Sequence, residues 1–264
     1  MRDLKQKNDF LINKICLILL FLSSNSYAEA EISIKTAGAD LANFPNSAFT
    51  LPQGRTYVEV LPVSFFGKND YVPQQVSSAG YLFRYGLLDD LELRLLSNGF
   101  TIVDDLKQTT GMSPQIFDLK WHLMDENEAE NLPAVGLEFS VQTDFAHRAF
   151  QNGINPSFSL NFDQTLPFDI AFEYNVGFVS QHLNSGEALY QLEVSWAFQH
   201  AVLDDVDVFI NGYTDTGAGL TFSTIGGGAQ WIPVERLAIF TNLSAGLTKS
   251  TPSIFSLVGF AVAF

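Results

Sequence analysis

The sequence is almost without cysteine: among its 264 residues only Cys16 carries a thiol, so no intrachain disulfide can form. Basic residues are also few, 14 Lys and Arg against 29 Asp and Glu, for a formal net charge of −15. So acidic a chain lacks the basic patches that hold nucleic acid, and nucleic acid is excluded as a partner. The four histidines, His122, His147, His182 and His200, share no ligand spacing, and no phosphate-binding loop is present. No metal and no cofactor is therefore expected. After the first thirty residues there is no long apolar run, which excludes helical membrane spans. Yet 47% of the residues are hydrophobic and 24 are phenylalanine. That apolar surface has to face something.

The one apolar run is N-terminal. Arg2, Lys5, Lys7 and Lys14 precede "ICLILLFL", and the small residues Ser26 and Ala28 follow it. A basic region, a short apolar core and a small-residue site fit a secretory signal peptide, residues 1–28, cut after Ala28. The run is far shorter than the roughly 20 residues of a spanning helix. Its removal would take Cys16 with it and move the formal charge from −15 to −17, since four basic and two acidic residues leave.

From Arg55 onward the hydrophobic period is two, which indicates strands. In "FDIAFEYNVGFVSQH", Phe168, Ile170, Phe172, Tyr174, Val176 and Phe178 share one face, opposite Asp169, Glu173, Asn175, Gly177 and Gln181. "AVGLEFSVQTDF" and "ALYQLEVSWAFQH" repeat the pattern. Such runs exceed the five or six residues of ordinary strands and suit the roughly 9–11 that a tilted strand needs to cross a bilayer. Twelve strands are expected, at about 55–66, 77–87, 90–102, 114–124, 133–145, 156–164, 168–181, 188–200, 205–215, 219–231, 235–247 and 254–264.

An internal repeat organises them. "YGLLDDLELRL", "HAVLDDVDVFI" and "WIPVERLAIFT" align as tight acidic turns, with "TLPFDIAF" a looser copy. They fall at every second connection, and the connections between them are more polar and often longer. Short turns at one end and loops at the other are the asymmetry of an outer-membrane barrel, the short set being periplasmic. The expectation is an all-β, antiparallel, up-and-down transmembrane barrel of about twelve strands over residues 55–264, with both termini periplasmic. A soluble sandwich would have to bury aromatic residues from most of its strands in one core, which the polar opposite face does not favour. At the C-terminus "SIFSLVGFAVAF" turns Val258, Phe260, Val262 and Phe264 toward lipid. Gly259, Val262 and the terminal Phe264 resemble the last-strand signal by which barrel-assembly machinery recognises its clients.

Two further stretches, "PNSAFTLPQGRTYVEVLP" and "YLFRYGLLDDLELRL", resemble the opening of the outer-membrane transporters grouped as the meta-pathway phenol-degradation family. "GMSPQIFDLKWHL", "NLPAVGLEFSV" and "GGGAQWIPVERLAIFTNLSAGL" keep the family order, so the likeness spans about residues 45–264. "IPVER" departs from the usual Asp-containing turn. The resemblance implies a channel or transporter for small, aromatic or hydrophobic solutes, set in outer-membrane lipid, with no catalytic residues to carry over.

By strand parity the inward face holds Arg84, Glu92 and Arg94, then Asp118, Lys120 and His122, then Glu138 and Asp144, and finally Glu173, Glu193 and Asp207. These residues either pair and close the lumen or line a wet path; the pattern allows both. Their carboxylate excess disfavours anions and favours cations or neutral solutes. Residues 29–54 are too long for a simple tail and are expected to occupy part of the lumen from the periplasmic side. The alternatives are a closed structural barrel and a lipid hydrolase, since "SQHLNSGE" offers His182, Asn184 and Ser185. Ser and His three apart across a turn need not meet, and the chain is read as no enzyme.

Overall fold

The computed structural model describes residues 32–35, 37–105, 107–182, 188–217 and 220–264. The expected signal peptide and its cut after Ala28 lie outside the described residues, as do Asn184 and Ser185. The strands are β1 (Thr56–Phe66), β2 (Gln75–Leu88), β3 (Leu91–Asp104), β4 (Thr109–Met112), β5 (Ile116–Met124), β6 (Ala134–Gln142) and β7 (Asn155–Leu166). They continue with β8 (Ile170–His182), β9 (Ala188–Leu203), β10 (Val206–Gly217), β11 (Leu220–Val234), β12 (Leu237–Gly246) and β13 (Ile254–Ala263). Apart from β4, a four-residue ribbon on the end of β3, each strand pairs antiparallel with the strands next to it in sequence. β1 also pairs with β13, Tyr57 opposite Ala263 and Phe66 opposite Phe255, so twelve strands close into a barrel with no free edge.

The pleat sorts side chains by polarity, with the apolar set outside. In β5, Phe117, Leu119 and Trp121 are exposed while Asp118 and Lys120 between them are buried. On β13 Val258 and Phe264 face out, and Gly259, Ala261 and Ala263 face in. Outward rings stack across strands: Phe172 on Phe198 at 4.4 Å and Phe162 on Tyr174 at 4.7 Å between centroids. Each such pair is worth roughly 0.5–1.5 kcal/mol beyond burial. A polar interior within an apolar jacket suits hydrocarbon as solvent, where a closed ladder leaves no backbone group unpaired.

The two ends differ. At one, hereafter the turn end, β2–β3, β9–β10 and β11–β12 are joined by the residue pairs Asp89–Asp90, Asp204–Asp205 and Glu235–Arg236. At the other, the loop end, connections are longer, as in 67–74 and 143–154. Three expectations are corrected in detail. Strand β8 begins at Ile170, not at 168, because Phe168 and Asp169 adopt φ of 69° and 54° and form the tight turn itself. Strand β6 stops at Gln142, short of 145, so Asp144 is an exposed loop residue and does not reach the lumen; its carboxylate accepts from the Gly153 N–H instead. The connection at 125–133, on the turn end, is long and carries a 3-10 turn at Glu128–Glu130. Pro62 is accommodated where the register of β1 shifts against both neighbours, between Val60 and Val63 on one side and Leu61 and Ser64 on the other.

Placing a charge on the lipid face tests this orientation. Phe139→Arg, at an exposed outward position of β6, is expected to cost about 2–4 kcal/mol in urea unfolding from phospholipid vesicles. In a soluble barrel the same change would be neutral.

Candidate functional site inside the barrel

Residues 33–54 run inside the barrel as a loop that enters and leaves at the turn end. The entering leg is tied to two short turns: the Ile34 N–H donates to the Glu235 carbonyl at 2.7 Å and Lys35 Nζ to the Asp204 carbonyl at 2.8 Å. The loop's tip is Phe44, whose ring lies 5.4 Å from that of Phe255 and 6.0 Å from that of Tyr213. The returning leg ends at a third short turn, where Thr50 Oγ1 donates to the Asp89 carbonyl at 2.8 Å. The wall makes room for its backbone. A Cβ on Gly86 would stand 2.1 Å from the Pro52 carbonyl oxygen, and one on Gly136 would stand 2.7 Å from that of Ala48.

Asp40 is the centre of the grip. Its carboxylate lies 2.6 Å from Lys120 Nζ, 3.3 Å from an Arg94 nitrogen and 3.4 Å from an Arg84 nitrogen. Arg84, with none of its side chain exposed, also reaches Glu92 at 2.7 Å and Glu59 at 3.2 Å, and stands 5.5 Å over the Tyr57 ring. Arg94 reaches Glu138 at 2.8 Å and Asp118 at 3.1 Å. Strand register assembles the set: Arg94 is opposite Asp118 and Arg84, Glu92 is opposite Lys120, and Lys120 is opposite Glu138. Two arginines side by side would repel; carboxylates from the segment and four strands make the pairing tolerable. The segment's backbone joins in, with the Leu41 N–H donating to Glu59 and the Leu51 N–H to Glu92, both at 2.8 Å. Burial alone would push the Asp40 carboxyl up, but Arg84, Lys120 and Arg94 hold it below the usual carboxylate range. A carboxyl held low contributes stability that is complete above its unfolded value of about 3.9 and is lost only as pH falls from there.

The opposite wall is held differently. Asn43 Nδ2 donates to Glu173 at 2.9 Å, the Asn46 N–H to Asn175 at 2.6 Å, and Ser47 Oγ to Asp163 at 2.7 Å. On either side of this row lies a cavity. One, of about 160 Å³, lies toward the loop end between Phe44, Glu138, Ser157, Ser195 and Tyr213. The other, of about 450 Å³, lies toward the turn end between Lys35, Phe49, Asp163, Gln199 and Asp207.

Comparison with known families matches residues 39–264 to the family described as "Putative MetA-pathway of phenol degradation". The chain belongs to this family. Among solved structures it is similar to the COG4313 outer membrane channel from Pseudomonas putida F1, with 14% identity, a TM-score of 0.62, and 83% of this chain and 99% of that one covered. It is also similar to the NanC porin, with 6% identity, a TM-score of 0.53, and 78% and 98% covered. At these identities the likeness shows the fold. A comparison with curated proteins finds no match.

In this family member, Arg84, Glu92, Arg94, Asp118, Lys120 and Glu138 come together around Asp40. His122 lies at the turn end, stacked on Phe49 and bonded to the Ala48 carbonyl and to Asp125 at 3.0 Å each. Glu173, Glu193 and Asp207 lie on the other wall, away from the arginines. Asp144, as noted, lies outside the lumen. Gly259 packs its open face on Phe240, while Val262 is half-buried and Phe264 exposed. Sequence reasoning missed Asp40, Glu59, Asp163, Tyr213 and Asp215. Parity with Asn161 would have found Asp163; nothing in the irregular segment marked Asp40.

Removing the central carboxylate takes from buried Lys120 its one ion pair among the described residues and leaves Arg84 and Arg94 to their strand partners. Asp40→Ala is expected to lower stability by about 3–5 kcal/mol in vesicle-based urea unfolding at pH 7. A loss under about 1 kcal/mol would mean the network does not depend on it.

Proposed function

We propose that this protein is an outer-membrane channel for small solutes whose residues 33–54 act as a plug. The observation that carries the reading is a closed barrel with a cavity on each side of one thin partition, Asn43 to Ser47, held to β6–β8 by hydrogen bonds. Each such bond is worth about 0.5–3 kcal/mol, so this row is the more readily displaced part of the plug. The smaller cavity, flanked by the Phe44 and Tyr213 rings, is the size of a single-ring solute, since about 150 Å³ holds benzene elsewhere. The family's description and the printed names of the similar structures, an outer membrane channel and a porin, agree with small-solute passage. In this reading the chain is exported through a cleaved signal peptide, the turn end and both termini face the periplasm, and the assembly machinery reads Gly259, Val262 and Phe264. The plug then enters from the periplasmic side, and Arg84, Arg94 and Lys120 anchor it while Glu173, Glu193 and Asp207 border the path. The protein has no catalytic role.

Deleting residues 33–53 is expected to raise single-channel conductance in planar bilayers by at least about tenfold, to the scale of an open lumen. Unchanged conductance would refute the plug.

A further inference from the structure

Both cavities lie against the same side of the barrel, the larger along β7–β11 and the smaller along β6–β10. The segment's attachment is correspondingly lopsided. Toward β2, β3 and β5 it is held by the ion pairs of Asp40 with Arg84, Arg94 and Lys120; toward β7 and β8 it is held by the hydrogen bonds of Asn43, Asn46, Ser47 and Ala48. Charge is divided in the same way. Arg84, Arg94 and Lys120 are engaged near Asp40, and Lys35, at the larger cavity, donates to the Asp204 carbonyl; Asp163, Glu173, Glu193, Asp207 and Asp215 have, among the described residues, no Lys or Arg nitrogen within 4.0 Å. Two of these carboxylates are left short of donors. Asp163 Oδ1 and Asp215 Oδ1 are shut off from solvent and accept no hydrogen bond, and Asp163 borders the larger cavity. In the smaller cavity Tyr213, with a single hydroxyl proton, stands 2.6 Å from Glu193 and 2.9 Å from Asp215, so it can satisfy one of them at a time. Among the described residues no three of these groups are close enough to chelate a metal, which favours transit over capture.

We propose that permeation follows the gap between the plug and the β7–β10 wall, and that this path selects small cations, organic ammonium ions among them, over anions. The inference rests on the channel reading and adds to it the route and the charge of the permeant. A file of carboxylates in a low-dielectric tube concentrates positive charge and repels negative charge along its whole length. The anchored side offers less pull on a cation, because Arg84, Arg94 and Lys120 already stand against its carboxylates and offset their charge.

The test is the reversal potential of the full-length mature protein in planar bilayers under a potassium chloride gradient. Wild type is expected to pass potassium over chloride by about tenfold, and the triple variant Asp163→Asn, Glu173→Gln, Asp207→Asn to approach equal permeability. The route is tested separately in a chain that otherwise keeps every carboxylate. Gln199→Cys, at the larger cavity, is expected to lose most of its current on reaction with a trimethylammonium thiosulfonate, and Ser64→Cys, buried on β1, to keep it. No current from either wild type or the 33–53 deletion would overturn the channel reading and this one together, and current from the deletion alone would overturn this inference. Current without cation preference, preference unmoved by the triple variant, or block at Ser64→Cys in place of Gln199→Cys would overturn this inference and leave the channel reading standing.

Discussion

Everything in this molecule depends on the pairing of β1 with β13. In hydrocarbon an unpaired peptide group costs several kcal/mol, so a sheet survives there only if its first and last strands meet. The closing seam is built for it: Ala261 and Ala263 present minimal bulk inward opposite Glu59 and Tyr57, and the Phe264 N–H and the Thr56 carbonyl bond at 2.8 Å at the very end of the ladder. Once closed, the pleat leaves no freedom. Every second residue faces lipid and every other one faces the lumen, and the side chains follow that division by polarity.

Closure creates a second problem, which the N-terminal segment answers. A twelve-stranded cylinder with charged inner walls must hold water or fill itself with its own chain. Here the chain does both in part. Its Asp40 supplies a contact that the strands leave open, since among the described residues Lys120 has no strand carboxylate within 4.0 Å and both arginines reach the same carboxylate. Phe44 anchors the tip among aromatic rings. Glycine at 86 and 136 lets the segment's backbone lie directly against the wall. Where those devices stop, cavities begin, and the functional argument rests on that boundary.

Much of the barrel was legible in the chain because a strand has a period of two and lipid leaves it unmixed. "YGLLDDLELRL" and its copies marked the short turns, and Phe172, Tyr174, Val176 and Phe178 read as one apolar face. The errors fall where period gives way to backbone geometry. Phe168 continued the alternation but sits in the turn at positive φ, and Asp144 continued it past the point where β6 ends. The ribbon β4 was invisible because "TTGM" is too short to show a period. Inside, parity placed Arg84, Glu92, Arg94, Asp118, Lys120 and Glu138 on one face but could not say which would meet. That required the register of β2, β3, β5 and β6, which a bulge can shift by one residue.

The sequence by itself determined that this protein is a barrel of about twelve strands with its grease outside, since alternation is a local property carried by each strand alone. Tertiary structure decided what fills the interior. Residues 33–54 have no periodicity, and their position follows from long-range partners such as Glu173, Asp163 and Lys120, which lie 130, 116 and 80 residues from Asn43, Ser47 and Asp40 respectively. Charge pairing is set by distance in space, and only the closed barrel brings those residues within reach.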